Sequence, residues 1–218
     1  MLLIFDLDGT LLNTLDDLAA AANYALSAAG FAPRTTAECC QFVGSGVTKL
    51  LERALPDGHK TPENIARLKT SFLAYYDAHL TDFTHPYTGI KDVLAALQAR
   101  GIQLAVASNK YQRATSYLIT HFFPQISFVS VLGQREGVPV KPHPHMVHAI
   151  LAAANETPAH TLYVGDSDVD MQTAQNAGIK ACGVTWGFRS RGVLAAYQPA
   201  YLIDDPRDML HLVVKPHL

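Results

Sequence analysis

The sequence is poor in cysteine and in surplus charge of either sign. Its 218 residues include three cysteines, Cys39, Cys40 and Cys182, which form neither an even set nor a CxxC pair. We therefore expect no disulfide framework and a reduced, cytoplasmic protein. Lysine and arginine total 17 against 19 acidic residues, a net charge of −2. No basic surplus points to a nucleic acid or an anionic membrane as a partner.

Long hydrophobic runs are also missing. The apolar stretch of residues 1–5 is stopped by Asp6 and has no basic residue before it, so we do not expect a signal peptide. No apolar run approaches the roughly 20 residues that a transmembrane helix needs. Hydrophobic residues nevertheless make up 49% of the chain. That share is enough to bury a full core, which excludes wholesale disorder.

Short apolar runs alternate with stretches of helical periodicity over most of the chain. The predicted strands are residues 2–7, 102–107, 127–131, 161–164 and 179–184, with a weaker one at 201–203. The predicted helices are residues 89–100, 112–120, 144–154 and 168–177, with a weaker one after Pro206. This alternation predicts an α/β fold, a Rossmann-like parallel sheet with helices on both faces.

Residues 14–80 break the pattern, because they hold amphipathic and alanine-rich stretches without a convincing strand. The predicted helices here are residues 15–29, 36–42, 47–55 and 62–80. We therefore expect an all-helical cap subdomain, residues 14–81, inserted into a core of residues 1–13 and 82–218. Linkers are expected near residues 12–14 and 81–88.

Polar residues follow four successive predicted strands. Ligands of open parallel sheets bind outside the carboxyl ends of the strands, which is where these residues fall. They are Asp6-Leu7-Asp8-Gly9-Thr10, Ser108-Asn109-Lys110, Lys141-Pro142 and Gly165-Asp166-Ser167-Asp168-Val169-Asp170.

Crowded carboxylates need a proton or a cation, because they repel one another. Asp6 and Asp8 can face one cleft, and Asp166 would join them from a neighbouring strand. Oxygen ligands with few other donors suit Mg²⁺. With Lys141 and the Ser108 hydroxyl opposite, the set suits phosphoryl transfer, which mostly needs positioning and charge neutralisation.

These motifs resemble the four motifs of the haloacid dehalogenase-like hydrolase superfamily, in order. The run from Phe5 to Leu11 is similar to its first motif, and Ser108, Lys141 and residues 165–170 are similar to the other three. The helical insertion resembles the small cap of the first cap class. Within the superfamily, residues 42–46 and 51–55, with Ser108-Asn109-Lys110 and residues 141–144, resemble phosphoglycolate phosphatases.

The resemblance implies a role for each matching residue. Asp6 would be the nucleophile that forms an aspartyl-phosphate, and Asp8 the general acid and base. Lys141 would neutralise charge between Asp6 and phosphate. Mg²⁺ would be held by Asp6, the Asp8 backbone carbonyl and Asp166, with Asp170 bound directly or through water. The substrate-binding set would be Thr10, which steadies its loop, Ser108, the Asn109 backbone, and Gly44, Ser45 and Gly46 of the cap.

The acid at position 8 favours a phosphate ester over the superfamily's other substrates. Dehalogenating and phosphonate-cleaving members lack an acid there. The expected reaction is Mg²⁺-dependent hydrolysis of a small phosphorylated metabolite, in first place 2-phosphoglycolate, by a monomer or homodimer with no nucleic-acid or membrane partner. A pyrophosphatase, a nucleotide phosphatase and a non-catalytic phospho-ligand sensor remain alternatives. A sugar phosphomutase is a further one, although Val47 stands where its cap arginine would be.

Simpler interpretations exist for several of these residues. Asp-x-Asp-Gly can be only a turn, and Asp168 and Asp170 can merely cap the following helix. Gly44-Ser45-Gly46 can be a plain interhelical turn. His143, His145 and His148 have spacing that could hold zinc, but histidines near a helix start are more often solvated.

Overall fold

The computed structural model describes residues 1–213, and its centre is a parallel sheet built on β1 (Leu2–Phe5). Every residue of β1 is buried, as expected of a central parallel strand covered on both faces. The other strands of the sheet are β4 (Gln103–Tyr111), β5 (Phe128–Gln134), β6 (Thr161–Gly165), β7 (Lys180–Val184) and β8 (Tyr201–Ile203). Their order is β5-β4-β1-β6-β7-β8, and all neighbours are parallel.

Helices cover both faces of this sheet. They are α5 (Ile90–Ala99), α6 (Gln112–Phe122), α7 (His145–Ala154), α8 (Asp168–Asn176), α9 (Arg191–Ala195) and α10 (Met209–Leu212). Alternate strand residues point to opposite sides, so that Leu3 and Phe5 pack with α5, α6 and α10, whereas Leu2 and Ile4 pack with α7, α8 and α9. The predicted fold class is confirmed.

Four helices lie between the first strand and the rest of the sheet, and we call them the cap helices. They are α1 (Leu15–Ala28), α2 (Thr36–Phe42), α3 (Val47–Ala54) and α4 (Pro62–Tyr76). Helix α2 begins with a capping box in which Thr35 and Glu38 bond to each other's backbone N–H groups. Helix α4 has Thr61 as its N-cap, followed by Pro62, which is suited to the first helical turn.

The two linkers of the cap helices pair with each other, which the sequence did not predict. They form a two-stranded antiparallel ribbon of β2 (Leu12–Asn13) and β3 (His85–Pro86). The buried carboxylate of Asp17 in α1 accepts hydrogen bonds from the backbone N–H groups of Phe83 and Thr84 and from the Thr84 hydroxyl. The chain thus leaves and re-enters the sheet region at one place.

The elements differ from prediction mainly at their ends, and helix α4, predicted to run to Leu80, ends at Tyr76. Strand β4 runs to Tyr111, beyond the predicted end at Ala107, because a register irregularity against β5 accommodates residues 108–110 within the strand. The last five residues of the predicted core, 214–218, lie outside the described part of the chain. Within residues 1–213, no helix is long and apolar enough to cross a membrane.

Candidate active site

The register of the sheet brings the ends of three central strands together. Phe5 of β1 pairs with Val106 of β4 on one side and with Val164 of β6 on the other. Asp6, which directly follows β1, therefore lies near Ser108 within β4 and near Asp166, which directly follows β6. Strand order reverses at this point of the sheet, because β1 lies between β4 and β6, and such a switch point opens a crevice.

A buried lysine links two of the carboxylates. The Nζ atom of Lys141 lies 2.9 Å from Oδ1 of Asp6 and 2.8 Å from Oδ1 of Asp170. The side chain of Lys141 is 1% exposed, and that of Asp6 is 9% exposed. These charges face each other with little water between them, so their attraction is strong and their separation would be costly.

Two hydroxyl groups complete the surroundings of Lys141 and Asp170. The Lys141 ammonium donates to the Tyr163 hydroxyl at 3.0 Å, and that hydroxyl donates to the Ala107 carbonyl at 3.0 Å. The Ser167 hydroxyl donates to Oδ2 of Asp170 at 2.6 Å, while the Asp170 backbone N–H donates to the same hydroxyl oxygen. Ser167 is thus the N-cap residue of helix α8, and Asp170 completes its capping box by accepting from the Ser167 backbone N–H and also holds Lys141.

Asp166 is fixed by partners on two loops. Its Oδ1 accepts from the Thr10 hydroxyl at 2.8 Å, and its Oδ2 accepts from the Phe188 backbone N–H at 2.8 Å. The Gly9 and Gly187 backbones press against this carboxylate, so that a Cβ atom at either position would overlap it. Glycine is required at Gly9 for a second reason, because its φ is +84°.

Asp8 sits on the cap side of Asp6 and has a lysine of its own. The Nζ atom of Lys110 lies 2.8 Å from Oδ1 and 3.1 Å from Oδ2 of Asp8. The Thr14 hydroxyl donates to Oδ1 of Asp8 at 2.7 Å. The side chain of Lys110 is 2% exposed and that of Asp8 is 13% exposed, so Asp8 is the more accessible member of the pair.

Burial and neighbouring charges shift the pKa values of Asp6, Asp166 and Lys141. Burial, followed by the charge of Asp170, raises the pKa of Asp6 to about 7, and Lys141 opposes this rise. Burial and the charges of Asp170 and Asp6 also raise the pKa of Asp166. Burial by itself lowers the pKa of Lys141, but the carboxylates of Asp170 and Asp6 outweigh it and hold that pKa well above its usual range.

These residues fit a hard divalent cation. One carboxylate oxygen each from Asp6, Asp166 and Asp170 lies within 4.8 Å of the others. The donors are all oxygen, and burial together with the neighbouring carboxylates raises the pKa values of Asp6 and Asp166, so a cation at this place would offset the cost of keeping them charged. Oxygen donors in this number, with room for substrate and water, suit Mg²⁺. Among residues 1–213, no such group includes His143, His145 or His148, and Nδ1 of His143 instead accepts from the His145 backbone N–H.

A cavity of about 50 Å³ lies between the carboxylates and the cap helices. The Asn109 amide donates to the Gly44 carbonyl at 3.1 Å and to the Lys141 carbonyl at 3.0 Å. The Arg189 guanidinium donates to the carbonyls of Cys40 at 2.8 Å and Val43 at 2.6 Å. The cavity is lined by Asp6, Asp8, Leu18, Val43, Gly44, Gly46, Val47, Leu50, Phe72, Tyr76, Ser108, Asn109, Lys110, Tyr111, Asp166, Ser167, Phe188 and Arg189.

Some of the residues that the sequence predicts to bind substrate line the cavity, and others do not. Ser108, Asn109, Gly44 and Gly46 line the cavity. The Thr10 hydroxyl instead bonds to Asp166, which agrees with the expectation that Thr10 steadies its loop. The Ser45 hydroxyl accepts from the Arg53 guanidinium at 3.3 Å, so Ser45 faces the cap surface in this arrangement.

Several residues that form the site had no role predicted for them from the sequence. Lys110 directly follows Ser108-Asn109 at a strand end, and this position was the available signal for it. Tyr163 lies inside a buried strand, and Tyr76 continues the apolar spacing of α4, so both have the pattern of ordinary core residues. Arg189 lies in a loop after β7 and carries no pattern at all.

Fold and site together define a hydrolase core of the α/β class with a helical cap. The chain belongs to the haloacid dehalogenase-like hydrolase family, whose model matches residues 3–184. This membership confirms the resemblance that the four motifs carry.

Among its relatives, a phosphoglycolate phosphatase from Cereibacter sphaeroides is 36% identical over 192 residues, which are 85% of each chain. A phosphoglycolate phosphatase from Mannheimia succiniciproducens is 32% identical over 215 residues, 96% of each chain. The crystal structure of a predicted phosphoglycolate phosphatase from Haemophilus somnus is 31% identical and superposes with a TM-score of 0.91, covering 98% of this chain and 97% of that one. The expectation of an enzyme similar to phosphoglycolate phosphatases is thereby confirmed.

Proposed function

We propose that the protein hydrolyses a small phosphomonoester, 2-phosphoglycolate, in a Mg²⁺-dependent reaction through an aspartyl-phosphate at Asp6. The observation that carries the proposal is the Asp6 carboxylate, held 2.9 Å from the buried Lys141 ammonium at the floor of the cavity. A carboxylate with its own cation, facing a covered space, suits attack on an anionic phosphoryl group.

In the first step, a carboxylate oxygen of Asp6 forms a bond to phosphorus as the bond to the ester oxygen breaks. The departing alkoxide takes a proton from Asp8, which acts as the general acid. Thr14 and Lys110 hold the Asp8 carboxyl group in one orientation during this transfer. Lys141 offsets the negative charge that gathers between Asp6 and the phosphoryl oxygens.

In the second step, water attacks the phosphorus of the aspartyl-phosphate and the acyl phosphate bond breaks. Asp8, now a carboxylate, takes the proton from that water, and Asp6 is restored as a free carboxylate. The exposed fraction of Asp8, 13%, supports this assignment, because the acid and base must face both the leaving group and the incoming water.

The phosphoryl oxygens would be held by the hydroxyl of Ser108 and the backbone of Asn109, which both line the cavity. Asp6, Asp166, Asp170 and the Asp8 backbone carbonyl would hold Mg²⁺. When bound, the ion supplies positive charge that offsets the charge of the carboxylates and the phosphoryl group. The cap helices exclude bulk water from the reacting groups.

The choice of 2-phosphoglycolate is supported by the similar phosphoglycolate phosphatases and by the size of the cavity. A space of about 50 Å³ suits a leaving group of few atoms. We further propose a cytoplasmic enzyme that works as a monomer or homodimer, with cap and core divided at residues 14–81. The three free cysteines are consistent with a reducing compartment.

Phosphate release from about a hundred phosphorylated metabolites, with and without Mg²⁺, tests the proposal. We expect 2-phosphoglycolate to give the highest kcat/KM and Asp6→Asn to abolish release from every substrate. Asp16→Asn, which neutralises an exposed aspartate in α1, is the matched control and should retain full activity. Undiminished activity in Asp6→Asn would refute the nucleophile, and a better substrate of another class would refute 2-phosphoglycolate.

A further inference from the structure

The hydroxyl group of Tyr76 stands out among the polar groups of the cavity. Tyr76 is the last residue of α4, is fully buried and lines the cavity that faces Asp8. Within residues 1–213, its hydroxyl is the one buried side-chain polar atom without a hydrogen-bond partner. A phenol that is buried without a partner lowers the stability of the free protein, so its presence here calls for a ligand.

Two other polar side chains that line this cavity are already paired. The Asn109 amide is bonded to the carbonyls of Gly44 and Lys141, and the Tyr111 hydroxyl donates to Asp77 at 2.6 Å. These hydrogen bonds to other protein groups hold Asn109 and Tyr111 in position. Tyr76 therefore differs from these two residues, because its hydrogen-bonding capacity is left for something that enters the cavity.

A positive charge lies over the ring of Tyr76. The Lys110 ammonium is 4.9 Å from the centre of the Tyr76 ring and also binds Asp8. Burial, with the charges of Asp8 and Asp17, holds the pKa of Tyr76 well above its usual range, so the phenol stays protonated and can donate. A hydrogen-bond donor and an ammonium group that line the same cavity match an anionic oxygen.

The remaining wall of the cavity on this side is apolar. Leu18, Val47, Leu50 and Phe72 line it and offer no hydrogen bonds. A leaving group with several hydroxyls, such as a sugar, would lose its water there without replacement. A short leaving group with a single charged end has no such hydroxyls to leave unpaired against this wall.

We propose that Tyr76 and Lys110 form the subsite for a carboxylate on the leaving group, so that the enzyme selects short phosphate esters of hydroxy acids. The Tyr76 hydroxyl donates to one carboxylate oxygen, and the Lys110 ammonium is shared between that carboxylate and Asp8. This inference rests on the proposed hydrolysis and deepens it. Tyr76 is then a specificity residue that contacts the part of the substrate away from phosphorus.

The test compares 2-phosphoglycolate with ethyl phosphate, which has a methyl group in place of the carboxylate. For each substrate, kcat/KM of Tyr76→Phe is divided by that of the wild type, which cancels the intrinsic reactivity of the ester. We expect a loss of roughly tenfold to a hundredfold for 2-phosphoglycolate, the value of one hydrogen bond to a charged group. The ratio for ethyl phosphate should stay within about twofold.

Tyr75→Phe is the matched control, because it removes a phenol one residue earlier on the same helix. Tyr75 stacks on Tyr24 and His79 outside the cavity. Both of its ratios should remain near one. The melting temperature gives a second readout, since Tyr76→Phe removes an unpaired polar atom and should melt at the same temperature as the wild type or above it.

Four results would overturn the inference. Equal losses on both substrates would mean that Tyr76 has a structural role, and no loss on either would mean that its hydroxyl does not meet substrate. A wild type that hydrolyses both esters with equal kcat/KM would show that the carboxylate is not recognised, while the proposed phosphatase reaction would stand. A wild type that hydrolyses neither ester would refute the proposed function, and the subsite with it.

Discussion

Replacement of Lys141 by methionine tests the electrostatic account of the site. Lys141→Met keeps the length of the side chain but removes the charge that lies 2.9 Å from Asp6 and 2.8 Å from Asp170. The lysine side chain is 1% exposed, so water cannot replace it as the partner of the two carboxylates. Loss of one partner of a buried ion pair costs about 3–5 kcal/mol, and we expect a loss of this size near pH 8.

The stability loss caused by Lys141→Met should become smaller as the pH falls. Burial and Asp170 raise the pKa of Asp6 to about 7 in the folded protein, and Lys141 opposes that rise. Without Lys141, Asp6 keeps its proton to a still higher pH when folded than it does when unfolded. A proton that the folded state binds more tightly makes stability fall as the pH rises. The variant should therefore lose less stability near pH 5.5, where Asp6 is protonated and the pair with Asp170 is the one that is lost.

Urea unfolding near pH 8 and near pH 5.5, with divalent cations chelated, measures the stability loss of Lys141→Met at each pH. The fluorescence of Trp186, the one tryptophan of the chain, can report unfolding. Lys49→Met is the control, since Lys49 pairs with Glu52 on the cap surface and its removal should change nothing measurable. A loss below about 1 kcal/mol near pH 8, or an equal loss at both pH values, would refute the reasoning.

Two further predictions concern the cation site and the loop beside it. Gly9→Ala should destabilise the protein roughly twice as much as Gly30→Ala, or more, because both glycines have positive φ but only a Cβ at Gly9 would overlap Asp166. Urea unfolding of the two variants makes the comparison, and equal losses would contradict it. Mg²⁺ should raise the melting temperature more near pH 8 than near pH 5.5, because protons compete for Asp6 and Asp166, whose pKa values are raised. Equal shifts at the two pH values in differential scanning calorimetry would contradict the assignment of the ligands.

The sheet could be predicted because its signals are local. Residues 2–5 are apolar without interruption and end at an aspartate, a pattern that a buried parallel strand produces directly. Asp6, Ser108 and Asp166 each come at or just after the end of a predicted strand, and Lys141 lies in the loop after the third, so the rule that ligands bind at strand ends predicts that they lie together.

The contacts between the cap helices and the sheet could not be predicted in this way. The β2–β3 ribbon has two residues in each strand, which is too short for a periodic pattern. Tyr76 follows Leu68 and Phe72 at helical spacing, and this spacing indicates burial without indicating which cavity the residue meets. Arg189 reaches the carbonyls of Cys40 and Val43 from a loop about 150 residues later, a contact that only the tertiary fold creates.

Chemical trapping of the covalent intermediate tests the central claim, that Asp6 attacks phosphorus. The Mg²⁺-loaded enzyme is mixed with excess 2-phosphoglycolate, quenched in acid and reduced with borohydride, which converts an aspartyl-phosphate into homoserine. Peptide mass spectrometry then locates the product. The account predicts homoserine at position 6 and nowhere else. Turnover of the ester with no homoserine at position 6, or with homoserine at another aspartate, would contradict it.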